Sequence, residues 1–150
     1  MPKTTSPNER CNILIVEDDR DDVVLLDRAL RAAAKTNGVE VEIMHVANGF
    51  EALSAVARGD LTSRLPHVVI VDLNMPIMGG ELFLRRLRGD LGLTGLPAVV
   101  LTTSSDRPIH AAAMTSGANC VFVKPNSFAE LLAIANKVID FATVGELTVH

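Results

Sequence analysis

Short runs of aliphatic and β-branched residues alternate along this chain with longer segments of helical periodicity. The short runs predict five strands, at residues 13–16, 39–46, 68–71, 98–101 and 120–123. Helical periodicity follows each of them, at residues 21–35, 49–58, beyond Gly79 and Gly80, between Asp106 and Gly117, and from Ser127 onward. Alternation of this kind is typical of a parallel sheet with helices on both faces. The pattern therefore predicts an α/β fold built on a doubly wound, five-stranded parallel sheet.

The predicted strands differ in how completely they should be buried. Residues 68–71 are apolar at every position, which indicates a central strand covered on both faces. Residues 39–46 alternate between apolar and polar side chains, which favours a half-covered strand at the edge of the sheet. The last helix opens with a capping box formed by Ser127 and Glu130. Its inward stripe is expected to contain Phe128, Leu131, Leu132, Ala135, Val138 and Ile139.

The net charge of the chain indicates which classes of partner are unfavourable. The 150 residues include 18 acidic and 14 basic side chains, giving a net charge of −4. This balance argues against nucleic acid or an anionic membrane surface as the main partner. One basic run, formed by Arg85, Arg86 and Arg88, is interpreted as a solvated helix face.

Length and hydropathy predict one domain. Apolar residues make up 48% of the chain, which is enough for a packed core, yet no apolar run approaches the roughly 20 residues that cross a bilayer. Residues 12–141 are expected to form the domain, between a flexible N-terminal arm at residues 1–11 and a tail at residues 142–150. The first ten residues carry no apolar signal sequence, so a cytoplasmic location is expected.

Reactive side chains follow four of the five predicted strands. Glu17 and Asp18 come after the first strand and Asp72 after the third, while Thr102 and Lys124 end the fourth and fifth. Right-handed connections bring the carboxyl ends of parallel strands to one edge of the sheet, where ligands of such folds bind. We therefore expect these side chains to meet at a single site.

The residue types at this edge indicate metal-assisted phosphoryl chemistry. Clustered carboxylates raise one another's pKa values unless a cation lies among them, and Mg²⁺ is the natural candidate because it prefers oxygen ligands. Lys124 and Thr102 would face a phosphoryl group, with Asp72 as the candidate nucleophile that forms an acyl phosphate. The alternative is that the acids only stabilise a helix N-terminus. We interpret three further acids in that way: Asp19, Asp21 and Asp22.

These segments together resemble the receiver domains of two-component response regulators, over about residues 12–141. The resemblance rests on four motifs, which are Ile-Leu-Ile-Val-Glu-Asp-Asp at 13–19, Val-Val-Ile-Val-Asp-Leu-Asn-Met-Pro at 68–76, Val-Leu-Thr-Thr-Ser at 100–104 and Val-Phe-Val-Lys-Pro at 121–125. It implies the flavodoxin-like strand order 2-1-3-4-5 and a cis peptide bond between Lys124 and Pro125.

The resemblance also implies a role for each site residue. Asp72 would accept a phosphoryl group from a phosphohistidine, and Thr102 and Lys124 would hold the phosphate. The Mg²⁺ ligands would be Glu17, Asp18, Asp72 and the backbone carbonyl of Asn74.

A narrower likeness is to receivers that serve phytochrome-type sensor kinases, through Leu-Asn-Met-Pro at 73–76 and Ala-Asn-Cys at 118–120. Two positions depart from the usual receiver pattern. Val121 occupies the position that is aromatic in most receivers, and Phe122 should face the opposite side of the sheet because strand side chains alternate. Gly79 stands where an acidic or amide residue is common.

Three functions follow from these observations. The first is a protein switch without enzymatic turnover. Its phosphoryl donor would be a sensor histidine kinase, such as one of phytochrome type, or a histidine phosphotransfer protein, and an unidentified downstream protein would bind the phosphorylated form. The second is a haloacid-dehalogenase-like phosphatase, but such enzymes need a general acid where this chain has the neutral amide of Asn74. The third is a constitutive phosphate sink or scaffold. The sequence leaves homodimer formation open.

Overall fold

The computed structural model describes residues 10–144, which form a five-stranded parallel sheet in the predicted order β2-β1-β3-β4-β5. The strands are β1 (Arg10–Val16), β2 (Glu40–Val46), β3 (Val68–Val71), β4 (Ala98–Thr102) and β5 (Cys120–Val123). The helices are α1 (Arg20–Thr36), α2 (Gly49–Leu61), α3 (Gly80–Arg88), α4 (Arg107–Ser116) and α5 (Phe128–Val144). None of the helices described in this range is long and apolar enough to cross a bilayer.

The sheet separates two hydrophobic cores. Ile13 and Ile15 of β1 join side chains of α1 and α5 on one face. Leu14 and Val16 join side chains of α2, α3 and α4 on the other. The central strand β3 divides its side chains between the same two cores, and all four of its residues are buried. This two-sided burial explains why a central strand is apolar at every position.

The edge strand β2 has the alternating character that its sequence predicts. Val41 and Ile43 are half-buried, whereas Glu40 and Glu42 are exposed. Each residue of β2 pairs in parallel with one of β1, from Arg10 opposite Glu40 onward. The strand therefore forms one edge of the sheet.

Secondary structure extends past the predicted domain bounds at both ends. The strand β1 begins at Arg10, inside the predicted arm, because Arg10 pairs with Glu40 of the edge strand. The helix α5 continues to Val144, inside the predicted tail, and buries Ala142 in the core. The rest of the predicted arm and tail, residues 1–9 and 145–150, lies outside the described residues.

The inward stripe of α5 requires one correction. Phe128 is 41% exposed, because it opens the helix at its first turn. Buried positions begin one turn later and include Leu131, Ala135, Val138 and Ile139, with Leu132 packed at the margin. The N-cap itself is confirmed, since the Ser127 hydroxyl oxygen accepts the N–H of Glu130 at 3.2 Å.

The basic run on α3 also requires a correction. Arg85 and Arg86 are exposed as expected, but Arg88 turns inward and is half-buried. Its guanidinium donates to four oxygens, which are the carbonyls of Leu93, Leu96 and Gly117 and the side-chain oxygen of Asn119. The last residue of the run is thus a structural cation and not part of a solvated face.

Candidate functional site

Three carboxylates converge at the carboxyl edge of the sheet. Glu17 and Asp18 follow β1 and Asp72 follows β3, the neighbouring strand. The N–H of Asp72 donates to the carbonyl of Val16 at 3.0 Å, which fixes the two strand ends side by side. One oxygen of each carboxylate lies within 4.8 Å of those of the other two. Glu17 and Asp72 are buried, whereas Asp18 is exposed.

This acidic trio, Glu17, Asp18 and Asp72, has the donor chemistry of a site for a hard divalent cation. All three ligands are carboxylate oxygens, and two of them are buried, where mutual repulsion is weakly screened. Asn74 lies exposed two residues beyond Asp72, and the contribution of its backbone carbonyl stays a prediction. Asp18 exposes the trio to solvent, the source of the water ligands that Mg²⁺ usually retains in proteins.

Hydrogen bonds hold both the side chain and the backbone of Glu17 in place. Its Oε2 accepts the N–H of Asp18 at 3.0 Å. His45 of β2 lies 2.7 Å from the Glu17 carbonyl through Nε2, and since a carbonyl only accepts, this nitrogen carries the hydrogen. Burial raises the pKa of the Glu17 carboxyl to about 8; a hydrogen bond from Lys124 opposes the rise, and the Asp72 carboxylate adds to it.

Lys124 brings a positive charge to the trio from the end of β5. Its ammonium donates to Glu17 and, at 2.8 Å, to Asp22 on the first turn of α1. The distance from Nζ to Oδ2 of Asp72 is 3.8 Å. Burial acts to lower the pKa of Lys124, but the hydrogen bonds to Asp22 and Glu17 outweigh it and raise the pKa.

Asp22 is a site residue that the sequence does not reveal. It was predicted to be an ordinary acid of a helix N-terminus, yet Asp19 performs that role by accepting the N–H groups of Asp21 and Asp22. On the first turn of α1, the Asp22 side chain points toward Lys124, and its Oδ2 lies 2.8 Å from the ammonium nitrogen. A carboxylate at this helical position has a sufficient explanation in the helix dipole alone, so no sequence signal separates the two roles.

The hydroxyl predicted for the site lies on the next strand. Thr102 is fully buried at the end of β4, and its Oγ1 accepts the N–H of Ser104 at 3.2 Å. Ser104 in turn accepts the N–H of Asp106 and receives a hydrogen bond at 2.6 Å through its carbonyl from His110 of α4. These contacts link the Thr102 hydroxyl to the connection between β4 and α4.

The connection after Asp72 turns sharply back toward the sheet. A Cβ atom on Gly80 would lie 2.5 Å from the carbonyl oxygen of Asp72, so only glycine fits this close approach. Ile77 adopts a φ of 70°, in the left-handed region that β-branched residues avoid. Gly79, the position that departs from the usual pattern, has ordinary extended backbone and precedes α3 as its N-cap.

Val121 and Phe122 face opposite sides of β5, as their alternation predicts. Val121 packs with the core beneath α2, α3 and α4, whereas Phe122 packs with the core beneath α1 and α5. Phe122 also lies under the ammonium of Lys137, 5.4 Å from the ring centre. The side of β5 that faces Thr102 and α4 therefore carries an aliphatic residue.

The predicted cis bond before Pro125 is wrong for this structure. Every peptide bond between residues 10 and 144 is trans. The energy difference between the isomers is small before proline, so the motif does not fix the isomer by itself. In the trans form the Lys124 N–H still donates to the Thr102 carbonyl, at 2.7 Å, and its ammonium reaches the acids.

Related sequences extend across most of the chain. It is 28% identical over 131 residues to the response regulator Rcp1 of Synechocystis sp., and the match covers 86% of both proteins. It is 31% identical over 129 residues to the transcriptional regulatory protein PrrA of Mycobacterium tuberculosis. That second match covers 86% of this chain but 48% of PrrA, so this chain spans about half the length of that relative.

Solved structures of response regulators share the fold. The phosphorylated cyanobacterial phytochrome response regulator RcpA superimposes with a TM-score of 0.79 at 25% identity, covering 93% of this chain and 98% of RcpA. The Mn²⁺-bound form of Rcp1 superimposes with a TM-score of 0.72 at 26% identity, covering 93% and 96%. The family model of the response regulator receiver domain matches residues 13–136. With the acidic trio, the Thr102 hydroxyl and Lys124 at the expected strand ends, the chain belongs to the response regulator receiver domain family.

Proposed function

We propose that this receiver accepts a phosphoryl group on Asp72 and thereby switches its contacts with another protein. The observation that carries the proposal is the position of Asp72, a buried carboxylate between two other acids and the Lys124 ammonium. A carboxylate in this setting is poised to attack phosphorus once its negative charge is shared with a cation. Mg²⁺, bound by Glu17, Asp18, Asp72 and the Asn74 carbonyl, would supply that neutralisation.

The transfer step is a displacement at phosphorus. An oxygen of Asp72 forms the new bond to phosphorus as the bond between phosphorus and the donor imidazole nitrogen breaks, and the histidine leaves with its electron pair. Lys124, now 3.8 Å from Oδ2 of Asp72, would pair with a phosphoryl oxygen. Thr102 would turn its hydroxyl from the N–H of Ser104 to the same group.

The switch would follow from these new contacts. Movement of Thr102 would draw in residues 103–106. This segment is bonded to α4 because the carbonyl of Ser104 accepts a hydrogen bond from His110. To shift a two-state equilibrium from 1% to 99% active takes about 5.5 kcal/mol of differential interaction, a value within reach of several charge-assisted hydrogen bonds. The output is then a changed surface near α4 and not a chemical product.

The phosphoryl donor would be a sensor histidine kinase, of phytochrome type, or a histidine phosphotransfer protein. The likeness to RcpA and Rcp1 supports this class of partner. A downstream protein would read the switched surface, with nucleic acid and membrane lipid having no direct role, and the exchange would take place in the cytoplasm.

Phosphorylation is tested by incubating the protein with acetyl phosphate and Mg²⁺ and measuring the intact mass. One phosphoryl adduct is expected, and it should be absent when EDTA replaces Mg²⁺. Asp72→Asn should abolish the adduct, whereas Asp90→Asn, which removes an exposed acid paired with Arg86, should retain it. An adduct that survives Asp72→Asn would contradict the proposal, as would sustained turnover of a phosphomonoester.

A further inference from the structure

A fourth carboxylate reaches the site without belonging to the acidic trio. Asp22 lies on the first turn of α1, and its Oδ2 accepts a hydrogen bond from the Lys124 ammonium at 2.8 Å. Its side chain is 38% exposed, whereas that of Lys124 is 16% exposed. This hydrogen bond connects the end of β5 to the first turn of α1, beside the acidic trio.

The three N–H groups of the ammonium are unevenly shared among the acids. Glu17 and Asp22 each accept one at hydrogen-bond distance, while Oδ2 of Asp72 lies at 3.8 Å, beyond that range. Lys124 therefore donates to one acid within the trio and to one outside it. Asp72 is left with an oxygen that the ammonium approaches but does not bind.

A divalent cation and the ammonium would compete for the same oxygens. Both would be attracted to Glu17 and Asp72, the two buried members of the trio. Asp22 provides Lys124 with a charged acceptor that the cation does not use, since Asp22 is not among the acids whose oxygens converge. Without that acceptor, the nearest remaining carboxylate for the freed N–H is Asp72.

We propose that Asp22 is a positioning residue, which draws the Lys124 ammonium toward α1 and so leaves the Asp72 carboxylate available to a divalent cation. This inference rests on the proposed function to the extent that the trio binds such a cation. It assigns Asp22 an effect on metal affinity that is transmitted through Lys124. It differs from the general effect of a negative charge at a helix N-terminus, which neighbouring acids share.

The neighbouring Asp21 offers a matched control. It lies on the same turn of α1, is exposed, and its side chain has no hydrogen bond or ion pair within residues 10–144. Asp21→Asn and Asp22→Asn remove the same charge from the same helix end. Only the second change removes the charged acceptor of Lys124.

The test is calorimetric titration of the intact chain with Mn²⁺ and with Mg²⁺, for the wild type and both variants. Asp22→Asn is expected to weaken binding about tenfold, because the ammonium moves toward Asp72. Asp21→Asn should change the affinity by about twofold or less, since an exposed charge is screened. Asp22→Glu, which retains the charge and the acceptor, should restore most of the affinity.

A Lys124→Met background separates an effect through lysine from a direct field effect. There, Asp22→Asn should weaken metal binding no more than Asp21→Asn does. An equal loss in both backgrounds, or equal losses for the Asp21 and Asp22 variants, would overturn the inference even where the wild type binds metal and is phosphorylated. A wild type that binds neither ion would overturn it together with the proposed metal site.

Discussion

The pKa of Glu17 is set by opposing interactions within the site. Its burial disfavours the carboxylate form, and Asp72 adds to this effect, while Lys124 favours the carboxylate. The balance leaves the pKa at about 8, well above its ordinary value of 4.5. In the absence of a cation, the folded protein thus retains near neutrality a proton that the unfolded chain has already released at lower pH.

The free energy of unfolding is expected to fall as pH rises from about 4.5 to about 8 in metal-free buffer. The sign follows because the folded state binds the Glu17 proton more tightly than the unfolded state across this window. Urea denaturation followed by circular dichroism would measure the slope. Glu17→Gln should flatten it, and added Mg²⁺ should reduce it by favouring the carboxylate; an identical slope in Glu17→Gln would contradict the assignment.

The convergence of the candidate site residues that follow strands is predictable from the sequence, whereas the position of the one that lies on a helix is not. Glu17, Asp72 and Lys124 are fixed by strand ends, whose convergence follows from the topology of a parallel sheet. Asp22 depends on the rotation of α1 about its axis, which is set by packing of its buried stripe against α5. Such rotation is a tertiary property that no local pattern specifies.

At the scale of elements, Arg88 connects parts of the fold that are distant in sequence. From the end of α3 it donates to carbonyls in the α3–β4 connection, at 2.6 Å for both Leu93 and Leu96. It also donates to the carbonyl of Gly117 beyond α4, where a φ of 125° suits glycine. A Cβ atom on Gly117 would lie 2.6 Å from Cγ of Arg88, so a side chain at position 117 would displace the Arg88 side chain.

Arg88→Lys is expected to destabilise the protein by about 2 kcal/mol, because an ammonium cannot reproduce the planar fork that serves several carbonyls at once. Chemical denaturation would measure this loss. Arg85→Lys on the exposed face of the same helix is the matched control and should change the free energy of unfolding little. Equal effects of the two substitutions would show that the buried contacts do not stabilise the fold.

The elements themselves were largely predictable, and the exceptions are at their ends. The bounds of β3 and β5 are the same as the apolar runs in the sequence, and β3 is apolar throughout because all four of its residues are buried. The exposed Phe128 and the inward Arg88 were not predicted. Both lie in terminal turns of helices, where the direction of a side chain depends on the neighbouring loop more than on helical period.

At the scale of the molecule, the helices are unequally anchored to the sheet. The helix α1 buries five residues, which are Leu26, Ala29, Leu30, Ala33 and Ala34. The helix α4 buries only Ala113, and exposes the large side chains of Ile109 and Met114. Elements with little buried apolar surface open at lower free energy than the core, so α4 is expected to open more readily than α1.

Amide hydrogen exchange is expected to be faster in α4 than in α1 in the unmodified protein. Binding of a beryllofluoride mimic of the phosphoryl group should alter exchange within residues 103–116 and leave the protection of α1 largely unchanged. Mass spectrometry of peptic fragments would measure both effects. Asp72→Asn should abolish the response, and equal protection of α1 and α4 would contradict the picture of a weakly anchored helix.

The aliphatic side chain of Val121 limits the ways in which a change at the acidic trio can alter the protein surface. A ring at that position could swing between an outward and an inward rotamer, and a partner could sense which one is populated. Val121 is short and stiff about χ1, and it packs against the core. Under the proposed phosphorylation switch, a binding protein would accordingly have to discriminate the two forms of this receiver by the path of the main chain from Thr103 to Asp106 and by the orientation of α4.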